Sequence, residues 1–178
     1  VANIDTNFTF VNDTIQACYS ADGFVCNDTN ITADIMLTAN VTNVYMQDVR
    51  FNKTSIKIVT KDPDGAETNN ITVQWTLDLN ITNSSNGNAI PTANVQINNS
   101  KGEVLYSGVV DALGAIGSTL VTEFTQKGTV VPFYQSCTEQ TDDMGDATAN
   151  FTCFMPLNIS VTASGYTSAK LSFYLNQT

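Results

Sequence analysis

The sequence predicts an all-β chain, a β-sandwich, and three observations predict it. Apolar residues recur at every second position through many segments. Gly, Pro, Asn and Asp cluster between those segments. No segment carries a capped run of apolar residues at helical spacing. A period of two is the mark of a strand with one buried face, because successive side chains point to opposite sides. Many short strands separated by turn residues stack as two sheets.

The segments follow in chain order. Between Val1 and Val11, Ile4, Phe8 and Phe10 alternate with Asn3, Asp5, Asn7 and Thr9. Residues 31–41 place Ile31, Ala33, Ile35, Leu37, Ala39 and Val41 on one face. Shorter strands are expected over Val44–Phe51 and Ser55–Thr60, before a strong turn at Asp62-Pro63-Asp64-Gly65. From Ile71 to Thr82 the alternation is unbroken through Val73, Trp75, Leu77, Leu79 and Ile81. Trp75 lies on the apolar face and is expected in the core. Ser85-Asn86-Gly87 marks a turn, and Asn99-Ser100-Lys101-Gly102 a hairpin between strands at 93–98 and 103–107. Residues 111–117 are rich in Ala and Gly and carry no clear period. Strands are expected again over 150–154, at Leu157, Ile159, Val161 and Ala163, and at Ala169, Leu171, Phe173 and Leu175.

Composition narrows the function. At 178 residues, 42 % of them hydrophobic, the chain has enough apolar material for a core. Charged residues make up 13 %, about half the usual share. There are 7 Lys and Arg against 17 Asp and Glu, with no His, for a net charge of −10. Such a chain lacks the basic patch that displaces phosphate counterions, which excludes nucleic acid and an anionic membrane surface as partners. Few bases also mean modest positive charge once carboxylates protonate in acid, so self-repulsion stays small. That balance points to an acidic extracellular habitat.

Thirteen Asn residues stand in Asn-x-Ser/Thr sequons: Asn7, Asn12, Asn27, Asn30, Asn40, Asn52, Asn70, Asn80, Asn83, Asn98, Asn150, Asn158 and Asn176. With 20 Asn and 37 Ser or Thr in the chain, chance supplies about four. The excess implies a coat of covalent N-glycans, hence a secreted or cell-surface protein. In Asn30-Ile31-Thr32, Asn40-Val41-Thr42, Asn70-Ile71-Thr72, Asn80-Ile81-Thr82, Asn150-Phe151-Thr152 and Asn158-Ile159-Ser160 the middle residue is apolar. On a strand that lets Asn and hydroxyl face solvent while the middle residue fills the core.

Four cysteines fit the same oxidising compartment. They allow three pairings. Local pairing of Cys18 with Cys26 and Cys137 with Cys153 is favoured, each bridge stabilising by about 2–3 kcal/mol on the loop-entropy model. The chain opens on Val1-Ala2-Asn3-Ile4 without a basic or apolar leader and has no membrane span, the pattern of a mature chain whose leader has been removed.

Chemistry is harder to find. The absence of His removes the commonest acid–base residue. No phosphate loop, dinucleotide fingerprint or zinc spacing is present. Asp142, Asp143 and Asp146 cluster without the EF-hand spacing and read as a solvated loop. The expectation is a protein without catalytic residues, metal or other cofactor.

Residues from about 80 to 176 resemble the carboxypeptidase-regulatory or transthyretin-like β-sandwich modules. The likeness rests on Ile90-Pro91-Thr92-Ala93-Asn94-Val95-Gln96-Ile97 before Ser100-Lys101-Gly102-Glu103-Val104, and on Ile159 to Tyr166 before Lys170-Leu171-Ser172-Phe173. It implies an immunoglobulin-like fold and no particular activity. The chain departs from that pattern at Val110-Asp111-Ala112-Leu113-Gly114, where an insertion replaces a short return strand.

The terminal strand has two possible homes. It pairs within its own sheet, or it inserts into a neighbouring subunit and completes that sheet, a form of β-augmentation. Head-to-tail insertion is heterologous and builds an open filament. A sugar-coated, base-poor, disulfide-bearing β-sandwich with an apolar N-terminal strand resembles the archaeal thread pilins, donor-strand filament subunits of acidophilic archaea. The resemblance implies a pilin-like fold with a donor strand at 1–12, carrying Ile4, Phe8 and Phe10, and a head domain at 13–178. It implies a homopolymer that mediates surface adhesion or cell–cell contact outside the cell. The alternative expectation is a monomeric glycosylated adhesin or surface-layer binding module.

Overall fold

A computed structural model describes residues 7–11, 35–38, 43–50, 56–59, 70–127 and 151–175. Every regular element among them is a strand: β1 (Asn7–Val11), β2 (Ile35–Thr38), β3 (Asn43–Gln47), β4 (Ile56–Val59), β5 (Asn70–Leu77), β6 (Asn94–Asn98), β7 (Val104–Val109), β8 (Thr119–Lys127), β9 (Phe151–Cys153), β10 (Leu157–Thr162) and β11 (Ala169–Phe173). The described residues are all-β. The strands form a five-stranded sheet ordered β1-β3-β5-β8-β9, a four-stranded sheet ordered β11-β10-β6-β7, and a β2-β4 pair. The chain divides into two compact units, one of Val1–Val73, Phe124–Thr152 and Asn176–Thr178, the other of Gln74–Glu123 and Cys153–Leu175. β5 and β8 each run from one unit into the other.

The second unit contains the whole four-stranded sheet. Its ladders are antiparallel throughout. Ile159 pairs with Ile97 and Val161 with Val95. Val95, Ile97, Leu157 and Ile159 are buried, while Asn94, Gln96 and Asn158 on the opposite row are exposed. Each buried aliphatic side chain contributes about 1.5–3 kcal/mol relative to exposure. The alternation seen in the amino-acid sequence thus becomes one dry row and one wet row.

The connections explain the punctuation. The β6–β7 turn is held by Asn99, which is 3 % exposed. Its Oδ1 accepts from the backbone N–H groups of Lys101 and Glu103, both at 3.0 Å, and its Nδ2 donates to Glu103 Oε2 at 2.6 Å. Gly102 supplies the left-handed residue, with φ +82°. The Ala- and Gly-rich stretch after β7 is a tight loop. Asp111 Oδ1 accepts from the N–H of Leu113 at 2.8 Å and of Ala115 at 2.9 Å. Gly114 sits there at φ +77°, and its carbonyl accepts from the Ile81 N–H at 2.7 Å.

Two expectations change. The alternating run 71–82 does not stay one strand: β5 ends at Leu77. Beyond it, Leu79 and Ile81 take new partners, with Ile116 donating to Leu79 O at 3.1 Å and Ile90 to Ile81 O at 3.0 Å. Only isolated bridges, Asn80 with Ala115 and Thr82 with Ala89, continue the line. The second change is β8, at nine residues the longest described strand, which no apolar alternation announces. The reason is Glu123, a charged residue at a buried position, 2 % exposed.

Gly114 is the most constrained glycine of the described chain. A Cβ there would stand 2.5 Å from Ile81 O, whereas one at Gly87, φ +74°, meets nothing within 4 Å. Gly114→Ala is expected to lower the unfolding free energy by about 2 kcal/mol or more. Gly87→Ala should cost about 1 kcal/mol, the left-handed penalty alone. Urea titration of the two variants checks the difference.

Candidate functional site

The features that bear on function are a terminal strand, the sequons and a disulfide. β1 is an edge strand and pairs in parallel with β3 of its own chain. The register sets Phe8 beside Val44 and Phe10 beside Met46. Val44 is 2 % and Met46 1 % exposed, so β3 presents core positions at this edge. Thr9 and Val11 are exposed. In the single chain, therefore, the terminal strand has a home. Its only described ladder is five residues long and parallel, slightly weaker per residue than an antiparallel one. Ile4, the third expected donor residue, lies outside the described residues.

Six sequon asparagines fall on described backbone. Asn7 is on β1, opposite Asn43. Asn80 and Asn158 are exposed, and Asn70, Asn83 and Asn98 half-buried. Asn158-Ile159-Ser160 has the geometry anticipated from its pattern: Ile159 is buried and Asn158 faces solvent. Asn70-Ile71-Thr72 does not. Thr72 is buried along with Ile71, and its hydroxyl donates to Asn70 Oδ1 at 3.3 Å. The central strand β5 is covered on both faces at this point, so no solvent row exists there. Asn83 Oδ1 accepts from the Ser85 N–H at 2.9 Å, an Asx turn that leaves Nδ2 outside that bond. Asn12, Asn27, Asn30, Asn40, Asn52, Asn150 and Asn176 lie outside the described residues.

Asn98 and Asn158 are direct cross-strand partners on β6 and β10. Ser172 of β11 continues the row, and Gln96, Ser160 and Lys170 form the next. A shallow groove of about 390 Å³ is lined by these six residues together with Ile159 and Leu171. Its polar groups are amides and hydroxyls with one ammonium, and it offers no acid–base pair.

Cys153 is disulfide-bonded. Cys18, Cys26 and Cys137 lie outside the described residues, and so does the partner. Cys153 is 4 % exposed, and its Sγ accepts from the Met155 N–H at 3.3 Å. The adjoining Phe154 N–H donates to Glu123 O at 2.9 Å, and Phe154 O accepts from the Ser100 N–H at 3.0 Å. One residue thus links β8 to the β6–β7 turn. The bridge is anchored beside that junction.

The most polar buried contact joins neighbouring strands. Trp75 Nε1 donates to Glu123 Oε2 at 2.6 Å, with Trp75 itself 4 % exposed. Trp75 is a core residue, as its place in the alternation implied, and the acid opposite explains how its N–H is satisfied. Among the described residues no group of three or more His, Cys, Asp or Glu is placed to hold a metal. No helix among them is long and apolar enough to cross a membrane.

No protein-family model, no curated protein and no solved structure matches the chain.

Glu123 reads as a structural acid. Glu123→Ala removes the acceptor and leaves the indole N–H buried, an expected loss of about 1–3 kcal/mol. Glu123→Gln keeps an acceptor and should lose less. Chemical denaturation followed by Trp75 fluorescence measures both.

Proposed function

We propose that this chain is the structural subunit of an extracellular, N-glycosylated filament, assembled head to tail by exchange of β1 between copies, and serving adhesion or cell–cell contact. In this reading the strands form an immunoglobulin-like sandwich, and β1 with its preceding residues is the donor. The observation that carries it is the place of β1: an uncharged strand at a sheet edge, in register beside the buried Val44 and Met46 of β3. Every copy presents the same β3 edge, so a strand that pairs at home also pairs next door. Exchange conserves the contacts, and chain ends pair without any new surface. The wealth of sequons and the disulfide support an extracellular setting. The shortage of bases supports an acidic one.

The reading assigns no catalysis, no cofactor and no nucleic-acid partner. It treats the sugar as the solubilising layer that charge supplies in most proteins. A second reading has its own support. Because β1 pairs within its own chain, a monomeric adhesin or surface-layer module would be complete without exchange.

Locking the strand at home separates the two. Thr9 and Tyr45 are register partners, so the double variant Thr9→Cys, Tyr45→Cys can staple β1 to β3. Exchange requires the stapled protein to stay monomeric by electron microscopy and size-exclusion chromatography while the parent forms filaments. Deleting residues 1–11 should likewise give soluble monomers, and the free 1–11 peptide in excess should stop growth of the parent. A parent that is monomeric at native glycosylation establishes the adhesin reading. Filaments from the stapled or deleted chain reject β1 as the donor.

A further inference from the structure

The edge strand β11 has an inner row that is largely exposed. Its cross-strand partners on β10 are core residues: Leu171 pairs with Ile159, which is 5 % exposed, and Phe173 with Leu157, which is fully buried. Leu171 nevertheless is 58 % exposed, Ala169 is exposed and Phe173 half-buried. Alternation places these three in the core, and the sheet ends before the core reaches them.

Two other edges of the described sheets are blunted. β7, at the far side of the same sheet, has a register shift between Ile97 and Asn98. Tyr106 also folds over it: the ring hydroxyl donates to Val109 O at 3.4 Å and stands 3.0 Å from where a Gly108 Cβ would lie. β9 has three residues and ends at the disulfide-bonded Cys153. β11 has five residues in regular register, without a bulge or proline. A flat edge with an exposed apolar row is a template for another strand.

We propose that β11 pairs antiparallel with β11 of a second copy of this chain, making one continuous eight-stranded sheet across a two-fold axis. The occupant follows from self-complementarity. Centred on Leu171, the pairing sets Leu171 against Leu171, Ala169 against Phe173, and Lys170 against Ser172. The apolar row then meets an apolar row. Lys170, the only charge on the strand, faces a hydroxyl and not its own copy. An isologous contact of this kind closes as a dimer. The sequon Asn158 does not obstruct it, because Asn158 lies one strand in, on the opposite face from Leu171. The pairing makes no use of β1, so it joins monomers or the sides of two filaments alike.

Cysteine cross-linking of the full glycosylated chain tests the register. Directly opposed residues have Cβ atoms about 4.5–5.5 Å apart, within disulfide reach, whereas diagonal ones are about 7–8 Å apart. Leu171→Cys should yield mostly cross-linked dimer after mild oxidation, seen on a non-reducing gel after boiling in denaturant. Lys170→Cys should yield at least fivefold less, and Lys170→Cys mixed with Ser172→Cys should restore the dimer. Denaturation removes strand-exchanged contacts, so the readout is blind to β1 and survives failure of the filament reading. Equal cross-linking of Leu171→Cys and Lys170→Cys overturns the proposal. So does unchanged sedimentation of Leu171→Lys relative to a parent that sediments as a dimer. A parent that is monomeric at all concentrations and gives no Leu171→Cys dimer also overturns it.

Discussion

The unit that holds the four-stranded sheet depends on β10 being paired on both sides. β6 and β11 flank it, and every residue from Asn158 to Val161 has a cross-strand partner on each. That double ladder satisfies the backbone groups of β10 and aims Leu157 and Ile159 into the dry row. Two adjoining connections rest on the same frame. The Asn99 turn positions Ser100 to donate to Phe154 O, and Phe154 in turn bonds Glu123. The sheet, the turn and β8 are thereby tied through a few main-chain bonds beside the disulfide.

A sheet built this way has a cost at its borders. Antiparallel strands satisfy one another laterally, but the last strand on each side leaves a row of backbone groups open. Most soluble proteins guard such rows with charge. This chain has few charges to spend, and its edges differ in what guards them. β7 is bent and covered by Tyr106, and β9 is short. β1 and β11 are left regular, and both are the strands to which we assign contacts with other copies. The wet faces carry Asn, Gln, Ser and Thr, several of them sequons. In the proposed assembly sugar covers the faces and backbone pairing uses the edges, so the two do not compete.

How far the residues foretold this varies by element. Periodicity found β5, β6, β10 and β11, because each has aliphatic residues at every second position and one row was destined for burial. The hairpin at Asn99–Gly102 was legible for a local reason: Asn and Gly there do the hydrogen bonding and the positive φ themselves. β8 was illegible because Glu123 holds a buried place in it. A carboxylate in the core makes sense only when the Trp75 N–H stands opposite, and Trp75 is 48 residues away. The early end of β5 was hidden for a similar reason. Leu79 and Ile81 keep the alternation, but their partners are loop atoms at Ile116, Gly114 and Ile90.

The amino-acid sequence by itself determined the strand class, the turn chemistry, the low charge and the thirteen sequons, because each is read from composition or from residues within a few positions of one another. It also pointed to a strand in the first segment, and Asn7–Val11 is one. Where that strand lies was decided by tertiary structure: β3 offers buried Val44 and Met46 at an open edge, and β1 pairs there in parallel. Tertiary structure likewise decided that Thr72 is enclosed and that Leu171 is bare. Alternation assigns a side chain to a face, but whether anything lies against that face depends on strands distant in the chain.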